Sequence, residues 1–375
     1  MNESFITLVI YFYIFICLLL LIYNISYMIL SSKRKKKHLR RVKKWVQKIK
    51  LCISQVESGV NDFSKHRTLL NKKLCKTDEL IAYNEAFNFV ESVTDKDIIK
   101  EYLNQSVHEF VKLAQIYSKK SAMEKGYFAR VISEMPFYNV NNTQALGEAL
   151  LSFFSNSTIF CRQNVLLALY QISNAEIVER AFRFFSLEDI YHPIHLLSDG
   201  LLSFRGDQKK LASYLWKKSA FWEENEQVAI VRFATFVSGD LCEEFYKALS
   251  QNQRSLEVNF ALVRYFRKWK YKPAEVYLRN SLKNNNSDEI AIAIASALDN
   301  YPEIPTIVVL IQSLHSTNWY VRKNAAQSLV NIGISYDYVD FLRNEGDKYA
   351  ADILEYYINQ DKNENEIKSE IHKAS

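Results

Sequence analysis

The chain has 375 residues, a formal net charge of +6, and only eight Gly and five Pro. So few turn formers, against usual shares of about 7% and 5%, exclude a fold built from many tight hairpins and point to an all-α protein. The length leaves room for two ordinary domains or one elongated repeat array. Eleven Lys and Arg fall between Lys33 and Lys50, and Glu3 is the one charge before them. Residues 51–375 therefore carry −4 and lack the basic footprint of a nucleic-acid-binding domain.

The apolar run from Phe5 to Leu30 holds 26 residues, with Thr7, Asn24 and Ser26 its clearly polar members. About 20 apolar residues suffice to cross a bilayer, so residues 1–30 are expected to form a single transmembrane anchor. Lys33, Arg34, Lys35, Lys36, Lys37, Arg40 and Arg41 follow at once and are the candidate membrane-surface residues. Positive charge stays on the cytoplasmic side, so the expected topology is single-pass in the cell (inner) membrane, with the amino terminus outside and the bulk of the chain cytoplasmic. Tyr23 and Tyr27 fit the interfacial aromatic belt. A secretory signal would place its basic residues before a shorter apolar core.

Residues 31–76 form a basic juxtamembrane segment and helical linker in this reading, with Trp45, Ile49, Ile53 and Val56 at helical spacing. Thr77-Asp-Glu-Leu80 supplies a helix start, and Leu80, Tyr83, Phe87 and Val90 mark one face. A longer helix over residues 95–119 carries Ile98, Tyr102, Val107, Phe110, Leu113 and Ile116, and is expected to pair with the one before it as an αα-hairpin. After Pro136, shorter helices of 9 to 16 residues are predicted near 143–154, 158–172, 174–185, 193–204, 207–218, 223–238, 240–249, 254–269, 273–283, 287–298, 304–315, 318–332, 336–344 and 347–359. Their breaks fall at Ser155-Asn-Ser157, Gly206-Asp207, Ser238-Gly-Asp240 and Asn284-Asn-Asn-Ser287. The charged end, residues 360–375, is expected to be disordered.

Internal similarity points to stacked helical pairs. Arg162-Gln-Asn-Val-Leu-Leu-Ala-Leu-Tyr-Gln-Ile172 aligns without a gap to Arg322-Lys-Asn-Ala-Ala-Gln-Ser-Leu-Val-Asn-Ile332. Asp288–Leu298 repeats the pattern about 31 residues before the second of these, and a period in the thirties to forties is that of a helical solenoid. Pro305 through Gly333 resembles a HEAT repeat, with a proline in the first helix and Val321-Arg-Lys-Asn-Ala-Ala326 opening into Leu329 in the second. Residues 77–359 are accordingly expected to form a HEAT-like α-solenoid. The stretch Leu196–Asp207, together with the amino-terminal span, is similar to bacterial membrane-anchored HEAT-repeat proteins that accompany membrane glycosyltransferases of polysaccharide synthesis. That resemblance implies a protein-interaction scaffold and a membrane glycosyltransferase as its protein partner.

Trp319, Tyr320, Arg322 and Lys323 are the candidate partner-binding residues, since aromatic and Arg side chains dominate interfaces. The resemblance also implies a structural role for Arg322, since a motif Arg bonds acidic or carbonyl groups of the adjacent turn; for Trp319 and Tyr320 the alternative to partner binding is packing against the next repeat. His192 and His195, with Asp189 and Asp199 near in sequence, fall short of a metal site, which needs three or more converging ligands. Cys52, His66 and Cys75 are as scattered, and the five cysteines, an odd number with no Cys-x-x-Cys pair, fit reduced thiols. Gly200 and Gly206 are too sparse for a phosphate loop, the Gly-x-Ser-x-Gly elbow is absent, and Glu223-Glu224 and Glu243-Glu244 suit a solvated face. No catalytic residue, metal or cofactor is expected, so the reading is a binding protein and not an enzyme, with the lipid bilayer and a protein as partners and no nucleic acid. A HEAT-like enzyme of the DNA glycosylase or lyase type and a cytoplasmic signalling adaptor are the alternatives.

Overall fold

In the computed structural model, which describes residues 3–59, 63–284 and 288–374, the chain is all-helical. Nineteen α-helices and no strand occur among the described residues, and the chain divides within its eighth helix into two units, 1–177 and 178–375.

The first unit holds α1 (Glu3–Glu57), α2 (Ser64–Leu74), α3 (Thr77–Glu91), α4 (Lys96–Tyr117), α5 (Ala122–Glu134), α6 (Gln144–Leu151) and α7 (Ile159–Ile172). No Gly or Pro interrupts the sequence before Gly59, so α1 runs unbroken from the apolar segment into the folded unit and stops where Gly59 takes φ +72°. Its amino-terminal part is long and apolar enough to cross a membrane, and none of that stretch is buried by the rest of the chain. From Trp45 onward, the segment expected to be a linker contributes to the core. Trp45, Ile49, Cys52 and Ile53 are buried, Trp45 stands edge-on to Tyr83 with ring centroids 5.3 Å apart, and its indole N–H donates to Glu79 at 3.1 Å. Apolar residues four apart on a helix make one stripe, and here that stripe has α3 and α4 to cover it.

Asp95 caps α4, accepting from the Asp97 amide at 2.8 Å. α3 and α4 run antiparallel and meet through large rings, Tyr83 with Phe110 at 6.1 Å and Phe87 with Tyr102 at 6.2 Å, but do not pack closely as a hairpin: α3 packs on α1, and α4 on α1 and α2. His66, Tyr102 and Tyr83 form a buried hydrogen-bonded chain with links of 2.9 and 3.0 Å. α5 occupies a stretch where sequence periodicity predicts no helix. Ser121 caps it, and Gly126 on its inner face lets α7 approach until a Cβ there would lie 3.0 Å from the Cys161 Cα and the Phe160 ring.

α8 (Ala175–Leu187) leads into the second unit, which comprises α9 (Ile194–Leu201), α10 (Gln208–Lys217), α11 (Glu224–Val237), α12 (Cys242–Ser250), α13 (Leu256–Lys268), α14 (Lys272–Asn284), α15 (Asp288–Ala297), α16 (Ile304–Ser313), α17 (Trp319–Ile332), α18 (Asp337–Asn344) and α19 (Lys348–Ala374). These follow the predicted segments to within a few residues, except that the break at Asn284–Ser287 lies partly outside the described residues. Helices α9, α11, α13, α15, α17 and α19 pack each on the next in one row, and α12, α14 and α16 form a second. The backbone of α19 continues to Ala374 where a disordered tail is expected, since no Gly or Pro stops it; Ser375 lies outside the described residues.

Hydrogen bonds between helices recur at a nearly constant sequence offset. Asn324 donates to the Ile292 carbonyl at 2.9 Å and Ser328 to the Ala295 carbonyl at 2.7 Å. Tyr301 bonds the Phe266 carbonyl at 2.8 Å, and Trp269 that of Thr235 at 3.0 Å. The fully buried Glu275 accepts from Thr306 at 2.9 Å and is flanked by Lys272 and Arg279. The offsets of these five bonds run from 31 to 35 residues.

Candidate functional site

The carboxy-terminal helices of the second unit build an open groove of about 570 Å³. Asn318 starts α17 by accepting from the Tyr320 and Val321 amides at 2.9 and 3.4 Å. That cap places Trp319 in the first turn, and Arg322 and Lys323 follow at the i+3 and i+4 positions on the same face. Across the groove, α19 contributes Tyr349, Asp352, Ile353, Tyr356 and Tyr357. Trp319 is 50% exposed and Tyr349 75%, while the Lys323 ammonium stands 5.5 Å from the Trp319 ring centroid.

Arg322 departs from its expected structural role. Its side chain makes no ion pair or hydrogen bond among the described residues, and its Nε is buried without an acceptor. The aligned Arg162 behaves as the motif predicts, donating to the Ser157 carbonyl at 2.9 Å. A half-buried guanidinium with an unmet donor favours an acceptor brought from outside, preferably a carboxylate. Trp319 and Tyr320 likewise are not covered by a neighbouring pair: Tyr320 is 60% exposed and meets Trp319 edge-on at 5.1 Å, outside the groove lining. The three α19 tyrosines escaped the sequence analysis. Their signal was the 349, 352, 353, 356 spacing of a single helical face, legible as a site only once α17 lies beside it.

On α1, Lys33, Arg34, Lys35, Lys36, Lys37 and Arg40 are exposed and form no ion pair among the described residues. Arg41 is not part of this free surface. It lies 2.9 Å from Asp78 and 3.3 Å from Glu79, the two acids that the positive amino-terminal end of α3 favours, and opposite charge holds the pairing. Its charge serves the α1–α3 contact.

The remaining candidates disperse. His192 is buried with its ring stacked on Phe185 at 5.6 Å, whereas His195 is exposed. No three His, Cys, Asp or Glu residues come together as a metal site among the described residues. Burial pushes the Cys52 thiol up to about 11 and raises that of Cys161, so neither is a ready nucleophile. Glu243 and Glu244 are exposed, the former paired with Lys247 at 2.6 Å.

No protein-family model and no curated protein sequence matches the chain. Among solved structures, human deoxyhypusine hydroxylase in complex with glycerol is similar over 81% of this chain and 98% of that chain, at 14% identity and a TM-score of 0.28. A superposition that loose carries no argument about what this chain does.

Proposed function

We propose that the chain is a membrane-tethered interaction scaffold: a HEAT-like α-solenoid held at the cytoplasmic face by α1, binding a membrane protein partner through the groove between α17 and α19. The observation that carries this reading is the half-buried Arg322 guanidinium, which makes no side-chain bond among the described residues although the groove it lines with Trp319, Tyr349, Tyr356 and Tyr357 also holds Asp352. The occupant that fits is an extended segment with an aromatic or aliphatic anchor for Trp319 and Tyr356, and a carboxylate for Arg322 and Lys323. The offsets of 31 to 35 residues between bonded helices support the solenoid, and the basic run after the apolar segment supports the topology. Confinement to a membrane raises the effective concentration of such a scaffold toward other membrane proteins. The resemblance of the Leu196–Asp207 stretch puts a polysaccharide glycosyltransferase first among candidate partners.

Crosslinking in intact membranes followed by capture tests the reading. The wild-type chain should retain a membrane enzyme, and Trp319→Ala or Arg322→Ala should each weaken retention by about tenfold or more, the range of an interface hot spot. Both side chains are half-exposed or unbonded, so circular dichroism should show an unchanged fold. Equal retention by both variants would refute this groove as the docking site.

A further inference from the structure

The first unit carries a second cluster of lysines, remote in sequence from the juxtamembrane run. Helices α1 and α3 run side by side in the same direction: Arg41 meets Asp78, Trp45 meets Tyr83, and the Lys50 ammonium lies over the Phe89 ring at 5.7 Å. The start of α3 is therefore the end of the unit nearest the apolar segment. Helices α2 and α4 run the opposite way and bring their carboxy termini to that same end. Tyr117 donates to the Leu74 carbonyl at 2.9 Å, Lys120 to the Cys75 carbonyl at 2.6 Å, and Thr77 to Glu124 at 2.7 Å.

Lys72, Lys73, Lys76 and Lys119 lie at this end, all exposed and none in an ion pair among the described residues. Its acids are already engaged, Asp78 and Glu79 by Arg41 and Glu124 by Lys120. Met123, 76% exposed, adds an apolar side chain at the same edge. Eleven residues of continuous helix separate Leu30 from Arg41, a rise of about 16 Å. The headgroup layer takes up about 5–8 Å of that. The turn at residues 76–79 then stands about 10 Å from the headgroups, within a lysine side chain plus a Debye length of about 8 Å.

We propose that this end of the first unit is a lipid-docking face, in which Lys72, Lys73, Lys76 and Lys119 contact anionic headgroups and fix the unit against the membrane that α1 crosses. The proposal rests on the membrane-spanning reading of α1. Lysines in the last turn of a helix also complement its dipole; that role needs no lipid, and the test separates the two.

The full-length protein is placed in nanodiscs of phosphatidylcholine alone or with phosphatidylserine, and the acetylation rate of each lysine is read by mass spectrometry. Co-elution with the discs establishes the anchor independently. Lys72, Lys73, Lys76 and Lys119 should react about fivefold more slowly in the anionic discs. Lys65 and Lys96, at the opposite ends of α2 and α4, should react alike in both. Salt at about 1 M, which shortens screening to about 3 Å, should abolish the protection. A Lys72→Gln, Lys73→Gln, Lys76→Gln, Lys119→Gln variant should lose the lipid-dependent protection of Lys120 while Lys33–Lys37 keep theirs. Disc-bound protein whose four lysines react equally with and without phosphatidylserine would overturn the docking face alone; protein that elutes apart from the discs would overturn the anchor and the proposal with it.

Discussion

Replacing Glu226 by Gln should stabilise the second unit at neutral pH and do so much less in mild acid. Glu226 lies in the first turn of α11, is 3% exposed, and its Oε2 is buried without a hydrogen-bond partner. Burial, with the Glu223 carboxylate adding to it, pushes its carboxyl up from 4.5 to about 7 against the pull of its own backbone amide. A folded-state pKa above the unfolded one means that the native state binds the proton more tightly. Stability is thus greatest below pH 4.5 and declines as pH rises through about 7. The gap is worth about 3 kcal/mol at full ionisation. Gln mimics the neutral acid, so its advantage over Glu should grow from about 1 kcal/mol at pH 5 to about 3 kcal/mol at pH 8. Urea unfolding followed by tryptophan fluorescence suits the measurement, because Trp216, Trp222, Trp269 and Trp319 all lie in the second unit. Taking the difference between variant and wild type at each pH cancels the titration of every other group. A difference that stays flat from pH 5 to 8 would refute the reasoning and show that water or a cation satisfies the carboxylate.

The first unit should respond to acid in the opposite sense. Burial, and then the nearby Lys48 charge, hold the His66 imidazole down at about 4, so the stability it contributes is present above pH 6.5 and lost as pH falls toward 4. Hydrogen exchange of α2 and α4 should register a loss of about 3 kcal/mol across that window, absent in His66→Gln. Trp45→Ala should cost about 3–5 kcal/mol in the first unit, measured by thermal unfolding in detergent, because it removes a buried ring from the α1–α3 contact; a change within error would mean that α1 does not belong to the core. Gly126→Val should cost about 1–3 kcal/mol by forcing α5 away from α7, and a melting temperature equal to wild type would show that the pair can separate freely.

Much of this protein was written locally. The absence of Gly and Pro before Gly59 made one long helix, and capping residues such as Asp95, Thr158, Asp207, Ser255 and Asn318 set helix starts to the residue, because a cap bonds amides only two or three positions away. The all-helical class was legible for the same reason. The site was half legible: Trp319, Arg322 and Lys323 stood out, but Arg322 resembled the bonded Arg162. Only the absence of an acceptor in its actual surroundings set it apart, and only packing of α17 beside α19 brought Tyr349 and Tyr356 to it. Tertiary structure also decided the role of Arg41, the fate of the presumed linker and the existence of α5, whose Gly126 weakens the local helix signal yet permits the approach of α7. In each case the deciding interaction joins residues about thirty or more positions apart, a separation over which periodicity and capping carry no information.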